Sequence, residues 1–101
     1  MILYNVTINI DDSIHDEWVE WMMNTHIPAV IQSGCFIDYK IYRMVQPEDE
    51  EGTTYSVQYF ADELEDYERY QIEHAAILQA EHNEKYKGKF TAFRSVLEEV
   101  L

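Results

Sequence analysis

The chain has 101 residues, 20 acidic against 7 basic, a formal net charge of −13, 47% hydrophobic and 14% aromatic content, and one cysteine. One domain of this length, residues 1–101, can bury a core without staples, and the single Cys35 excludes an intramolecular disulfide. The acidic balance excludes nucleic acid and anionic membrane surfaces as partners, since both need a basic footprint, and with no signal peptide or apolar span in view the expected location is the cytoplasm.

Ile2, Tyr4, Val6, Ile8 and Ile10 alternate with Asn5, Thr7 and Asn9, which predicts a strand with one face on a core. Asp11-Asp12-Ser13 supplies a helix N-cap, and Asp16 and Glu17 suit the positive end that follows. Ile14, Trp18, Trp21, Met22 and Thr25 form one helical stripe, which Val19 and Met23 widen. Pro28 cannot donate to the Asn24 carbonyl and disfavours helix at Ile27, so the helix is expected to end or kink near His26. A short turn through Val30 and Ile31 should then stop at Ser33-Gly34.

Residues 36–45 predict a second strand, with Ile37, Tyr39 and Ile41 on one face and Asp38, Lys40 and Tyr42 on the other. The acidic turn at 47–52 lacks the ligand spacing of a calcium loop and predicts a solvated hairpin tip. A third strand is expected over 53–60. Asp62 should cap a long second helix over 63–86, stopped by Gly88, with Lys85, Lys87 and Lys89 near its negative end. Residues 90–97 complete the pattern as a fourth strand.

The order βαββαβ with right-handed crossovers predicts an α+β, ferredoxin-like domain: a four-stranded antiparallel sheet with both helices on one face. The uncovered face would present Leu3, Asn5, Thr7 and Asn9 on its first strand and a mixture of aromatic and polar residues elsewhere. Such a face is too apolar to be wholly wet, so a homodimer joined through the sheet faces is expected.

The tract Trp18-x-x-Trp21-x-x-x-x-His26-Ile27-Pro28-x-Val30, followed by Gly34-x-Phe36, resembles the dimeric α/β-barrel superfamily. That group includes antibiotic-biosynthesis-type monooxygenases, haem-degrading monooxygenases and EthD-like proteins. With Val57-Gln58-Tyr59-Phe60 and Tyr67-Glu-Arg-Tyr70-Gln-x-Glu-His74 included, nearly the whole chain is similar to a compact bacterial domain-of-unknown-function family, number 4286. The resemblance implies the fold and the dimer, and no activity.

Two histidines and Tyr67 are the catalytic candidates. His26, at a helix break, can serve as acid or base near neutral pH, or simply cap the Asn24 carbonyl. His74 follows Tyr70 by four and Tyr67 by seven, a stripe that should face the sheet. In haem-degrading relatives a helix His ligates haem, helped by a strand-one Asn and a helix Trp. Asn5 resembles that Asn, but Tyr67 or Tyr70 stands in the region of the Trp, so neither haem nor any other cofactor is expected. His74 and His82 lie about 12 Å apart along a helix, too far to share a metal, and no metal site is expected. Asn5, Trp18, Trp21, Tyr70 and Arg94 are candidate ligand-binding residues. Arg94 either joins Asn5 and Gln58 on one face and clamps a carboxylate, or points outward to an acidic helix residue. The sequence thus predicts a homodimer that binds a small molecule or serves as an interaction module. The alternative is a cofactor-independent monooxygenase or isomerase using His26 or His74.

Overall fold

The computed structural model describes residues 1–48 and 51–101; within the expected hairpin tip, Asp49 and Glu50 lie outside the described residues. Strands β1 (Ile2–Ile10), β2 (Asp38–Arg43), β3 (Thr53–Ala61) and β4 (Phe90–Glu98) form one antiparallel sheet in the order β2-β3-β1-β4. Tyr4 lies opposite Tyr59 and Val96, and Val6 opposite Val57 and Arg94. One side-chain parity of the sheet carries Ile2, Tyr4, Ile8, Ile10, Val57 and Tyr59 into a core shared with the helices. This is the expected ferredoxin-like arrangement. Cys35 is part of that core as a small buried hydrophobe. Among the described residues no helix is long and apolar enough to cross a membrane.

The first helical region departs from expectation at Pro28. Asp11 caps a 3-10 turn, Asp12–Ile14, by accepting from the Ser13 N–H at 2.8 Å. Helix α1 (His15–Trp21) then runs through a π-helical turn, Met22–His26, into α2 (Ile27–Gln32). The helix therefore neither ends at His26 nor gives way to a short turn. The wide turn lets the Ile27 N–H reach back to the Met22 carbonyl, and Pro28 falls in the first turn of α2, where its missing donor costs little. The inserted residue also shifts the buried stripe. Trp18, Met22, Ile27 and Val30 are buried, whereas Met23 and Thr25, expected on the stripe, are exposed. Gly34, at φ +79°, closes the helix where Ser33-Gly34 was expected to stop it.

Two other boundaries move. β2 is shorter than residues 36–45, because Phe36 turns into the core beside Tyr4, Tyr59 and Tyr70. Ile37, expected beside Tyr39 and Ile41, is 58% exposed. The long second helix is two: α3 (Leu64–Glu73) and α4 (Ala75–Lys85), broken at His74, whose backbone leaves helical geometry (φ −129°, ψ −33°). The cap of α3 is Glu63, not Asp62. Its carboxylate meets the Asp66 N–H while the Asp66 carboxylate accepts from the Glu63 N–H, a reciprocal box that satisfies two orphan donors.

Gly52 (φ +70°) leads into β3, and a Cβ there would lie 2.5 Å from the Ile10 carbonyl oxygen and 2.7 Å from Asn9 Oδ1. Gly34 has a similar φ but open space around its missing Cβ. Gly34→Ala should therefore cost about 1–2 kcal/mol, the left-handed penalty alone. Gly52→Ala should cost about 1–3 kcal/mol more, for the displaced β1 backbone. Urea unfolding of both variants checks this; equal losses would show that the Ile10 carbonyl is free to move.

Candidate functional site

Both tryptophans of the first helix hold a histidine. The indole N–H of Trp18, a residue with no exposed surface, donates to His82 Nε2 at 2.9 Å across the core. Indole nitrogen can only donate, so Nε2 is the accepting nitrogen and the neutral ring carries its proton on Nδ1. Trp21 stacks on His26 with centroids 5.2 Å apart and planes at 27°. His26 in turn stands edge-on to His82 at 5.8 Å, and Phe90 closes the far side of His82 at 4.5 Å. The π turn brings His26 onto the stripe that Thr25 was expected to occupy.

These rings open onto a cavity between the helices and the sheet. Its polar lining is Tyr4, His26, Tyr59, Tyr70, Gln79, His82 and Arg94, and its apolar walls include Val6, Ile8, Met22 and Val57. The space is small: about 30 Å³ can be occupied by the centres of water molecules, against ~10–15 Å³ for a single water. Gln79 Nε2 donates to the Tyr4 hydroxyl at 3.5 Å. Among the described residues two buried side-chain polar atoms have no hydrogen-bond partner, His26 Nδ1 and Tyr86 Oη, and only His26 lines the cavity.

Burial dominates the electrostatics. It lowers His26 from its ordinary 6.5 to about 4, helped by the Arg94 charge. His82 is lowered to about 4 by burial, then by His26 and Arg94. Both imidazoles are neutral at pH 7. Burial raises the Tyr4 and Tyr70 phenols, and at Tyr4 the nearby guanidinium of Arg94 opposes the rise. Arg94 is thus the one permanent charge on a cavity of neutral donors and acceptors.

The expected site residues divide. His26, Tyr70 and Arg94 line the cavity, while Trp18 and Trp21 position its histidines. Tyr67 packs on the Tyr4 ring at 5.2 Å but its hydroxyl accepts from Gln71 at 2.7 Å, outside the cavity. His74 lines a separate surface depression with Ala29, Gln32 and Leu78. Asn5 is on the other side of the sheet. There it donates to Thr7 at 2.9 Å and accepts from Ser56 at 2.6 Å, and Gln58 donates to Ser56 at 3.2 Å. Arg94 pairs with Val6 and so faces the helices, which corrects both orientations considered for it: it neither joins Asn5 and Gln58 nor pairs with a helix carboxylate. Among the described residues no cluster of three metal-ligating side chains occurs. Sequence reasoning did not single out Gln79 and His82 as cavity residues. Their signal was the spacing Ala75, Gln79, His82, Tyr86, a core stripe in steps of four, three and four.

Trp18→Phe removes the donor to a buried nitrogen and should destabilise the fold by roughly 1–3 kcal/mol. It should also release His82 into a mixture of tautomers, visible in its ¹⁵N shifts; a retained Nδ1–H tautomer would contradict the assignment. Acid should act through the same rings. The unfolded chain protonates histidine near 6.5 and the folded one only near 4, so between those values the unfolded state binds more protons. Stability should be unaffected by these groups above pH 6.5 and fall below it, by up to about 1.4 kcal/mol per pH unit for each ring. Urea unfolding at pH 7 and pH 5 reads the loss, and equal stabilities would show that the rings are not held neutral.

No curated protein matches the chain in sequence. Its fold is similar to several solved structures. HapK from Hahella chejuensis is 11% identical, with a TM-score of 0.71 over 99% of this chain and 93% of that one. An ethyl tert-butyl ether degradation (EthD) family protein from Bacillus halodurans is 19% identical, with a TM-score of 0.60 over 99% and 100%. A dimeric ferredoxin-like protein from an uncultured marine organism is 15% identical, with a TM-score of 0.69 over 100% and 98%. At these identities the likeness carries the fold. The family is carried by sequence: residues 1–100 match the domain of unknown function DUF4286, and the chain belongs to that family.

Proposed function

We propose that the protein is a cytoplasmic homodimer, joined through the open face of its sheet, that binds a small molecule in the helix–sheet cavity of each protomer. The observation that carries the binding reading is His26 Nδ1, a buried nitrogen without a partner on a cavity that also gathers Tyr4, Gln79 and Arg94. Buried polar atoms are nearly always satisfied, and a few convergent polar groups on apolar walls are the mark of a ligand site. This favours ligand binding over a pure interaction module.

The dimer reading rests on the open face. Phe93 and Leu97 are 64% and 48% exposed there, around the Gln58–Ser56–Asn5–Thr7 chain of hydrogen bonds. Exposed apolar surface of this kind marks an interface, and the similar marine ferredoxin-like protein is described as dimeric. The enzymatic alternative, a cofactor-independent oxygenase or isomerase, has the geometry at His26 but not the basicity. A ring held near 4 is a weak general base at pH 7. His74 is outside the cavity and offers no second candidate.

Titration with phenol, benzamide and benzoate, followed by NMR at the Trp21 indole and His26 ring, tests the cavity. Shifts confined to cavity residues are expected for at least one of them. None at millimolar concentration with folded protein would refute ligand binding. Light scattering should give twice the 12.1 kDa chain mass, falling to the single-chain value in Phe93→Asp; a wild-type monomer at micromolar concentration would refute the dimer.

A further inference from the structure

The chemistry lining the cavity narrows what it can hold. Its polar side chains are three phenols, an amide, two imidazoles and a guanidinium, and no carboxylate lines it, although the chain carries 20 acidic residues. Arg94, one of only 7 basic residues, has no carboxylate partner among the described residues; the ion pairs there join His15 to Asp16 and Arg69 to Asp66. A cation surrounded by excess acid would ordinarily find one. Arg94 instead stands opposite Val6 on the helix-facing side of the sheet, at the cavity.

Two of the neutral groups are set as donors. The Tyr4 oxygen already accepts from Gln79, and the Arg94 guanidinium lies near enough to favour its ionised form, which leaves the Tyr4 hydrogen for a ligand. Trp18 occupies the accepting nitrogen of His82, so that ring has only its N–H to offer. The free volume, about 30 Å³ for water centres, corresponds to roughly two waters. That suits the two oxygens of a carboxylate.

We infer that the cavity recognises an organic acid, with its carboxylate held by the Arg94 guanidinium and the Tyr4 hydroxyl. This rests on the ligand-binding reading above and names the ligand's class. Guanidinium and carboxylate form two parallel charge-assisted hydrogen bonds, which lysine cannot reproduce. The carboxylate fills that space, and the acid's apolar remainder extends from it through the cavity's open side. Because the whole chain is strongly anionic, its long-range field repels such a ligand, so selectivity must come from these local contacts.

Calorimetric titration with benzoate and with benzamide, its uncharged planar counterpart, tests the inference on wild type, Arg94→Lys and Arg94→Met. Arg94 is at an exposed strand position, and thermal midpoints confirm that the variants fold. Wild type should prefer benzoate by at least tenfold. Arg94→Met should bring the two probes within about threefold by weakening benzoate alone, and Arg94→Lys should fall between. Equal binding of the two probes to wild type, or an undiminished preference in Arg94→Met, would overturn the acid while leaving a ligand cavity in place. Binding of neither probe would remove the cavity reading and this inference together.

Discussion

The hydrogen bond from Trp18 to His82 is the constraint on which the rest of the molecule turns. It joins the first helix to the last across 64 residues of chain, between an indole with no exposed surface and a buried imidazole. An indole can only donate, so the bond exists only while His82 is neutral and unprotonated at Nε2. One contact thereby fixes the position of α4, the tautomer of His82 and the charge of the site. His26, packed between Trp21 and His82, inherits its orientation from the same cluster.

The charge of the cavity follows from a second constraint. Arginine stays protonated at any relevant pH, and two buried imidazoles stand close enough to feel it. Protonating either ring would place a cation where burial penalises it and Arg94 repels it. The site therefore settles at one positive charge with neutral donors and acceptors around it. An anionic head group would reverse that penalty, which is why the same geometry that keeps both imidazoles neutral suits an acid.

Much of the fold was legible because both periodicities are clean where burial is one-sided. Residues 4–10 of β1 and 55–59 of β3 alternate apolar with polar, and Gly34 and Gly88 stop the helices where the pattern ends. The site was less legible for three local reasons. The π turn at Met22–His26 inserts a residue that moves His26 inward and Thr25 outward, and a fixed 100° wheel cannot anticipate that. The break at His74 rotates α4 relative to α3, so His74, on the extrapolated stripe, lies outside while Gln79 and His82 point in. β4 reads FTAFRSVLE, apolar on both parities, so alternation alone did not assign a face to Arg94.

That ambiguity in β4 has a structural meaning. A strand apolar on both faces has something to bury on both, and the two faces here are chemically distinct. Val6 and Arg94 share the helix side with His26 and His82, whereas the next residues along, Thr7 and Phe93, share the open side with Ser56. One residue of register separates the proposed acid site from the proposed dimer face, and no side chain serves both. Each cavity is completed within its own protomer, by residues from the π turn, α2, α3, α4 and three strands. Pairing of two chains would thus shield the apolar face of β4 and stiffen the sheet beneath the site without supplying any of its polar groups. A substitution on Phe93 should then act on assembly, and one on Arg94 on ligand choice, because the pleat of a single strand keeps the two apart.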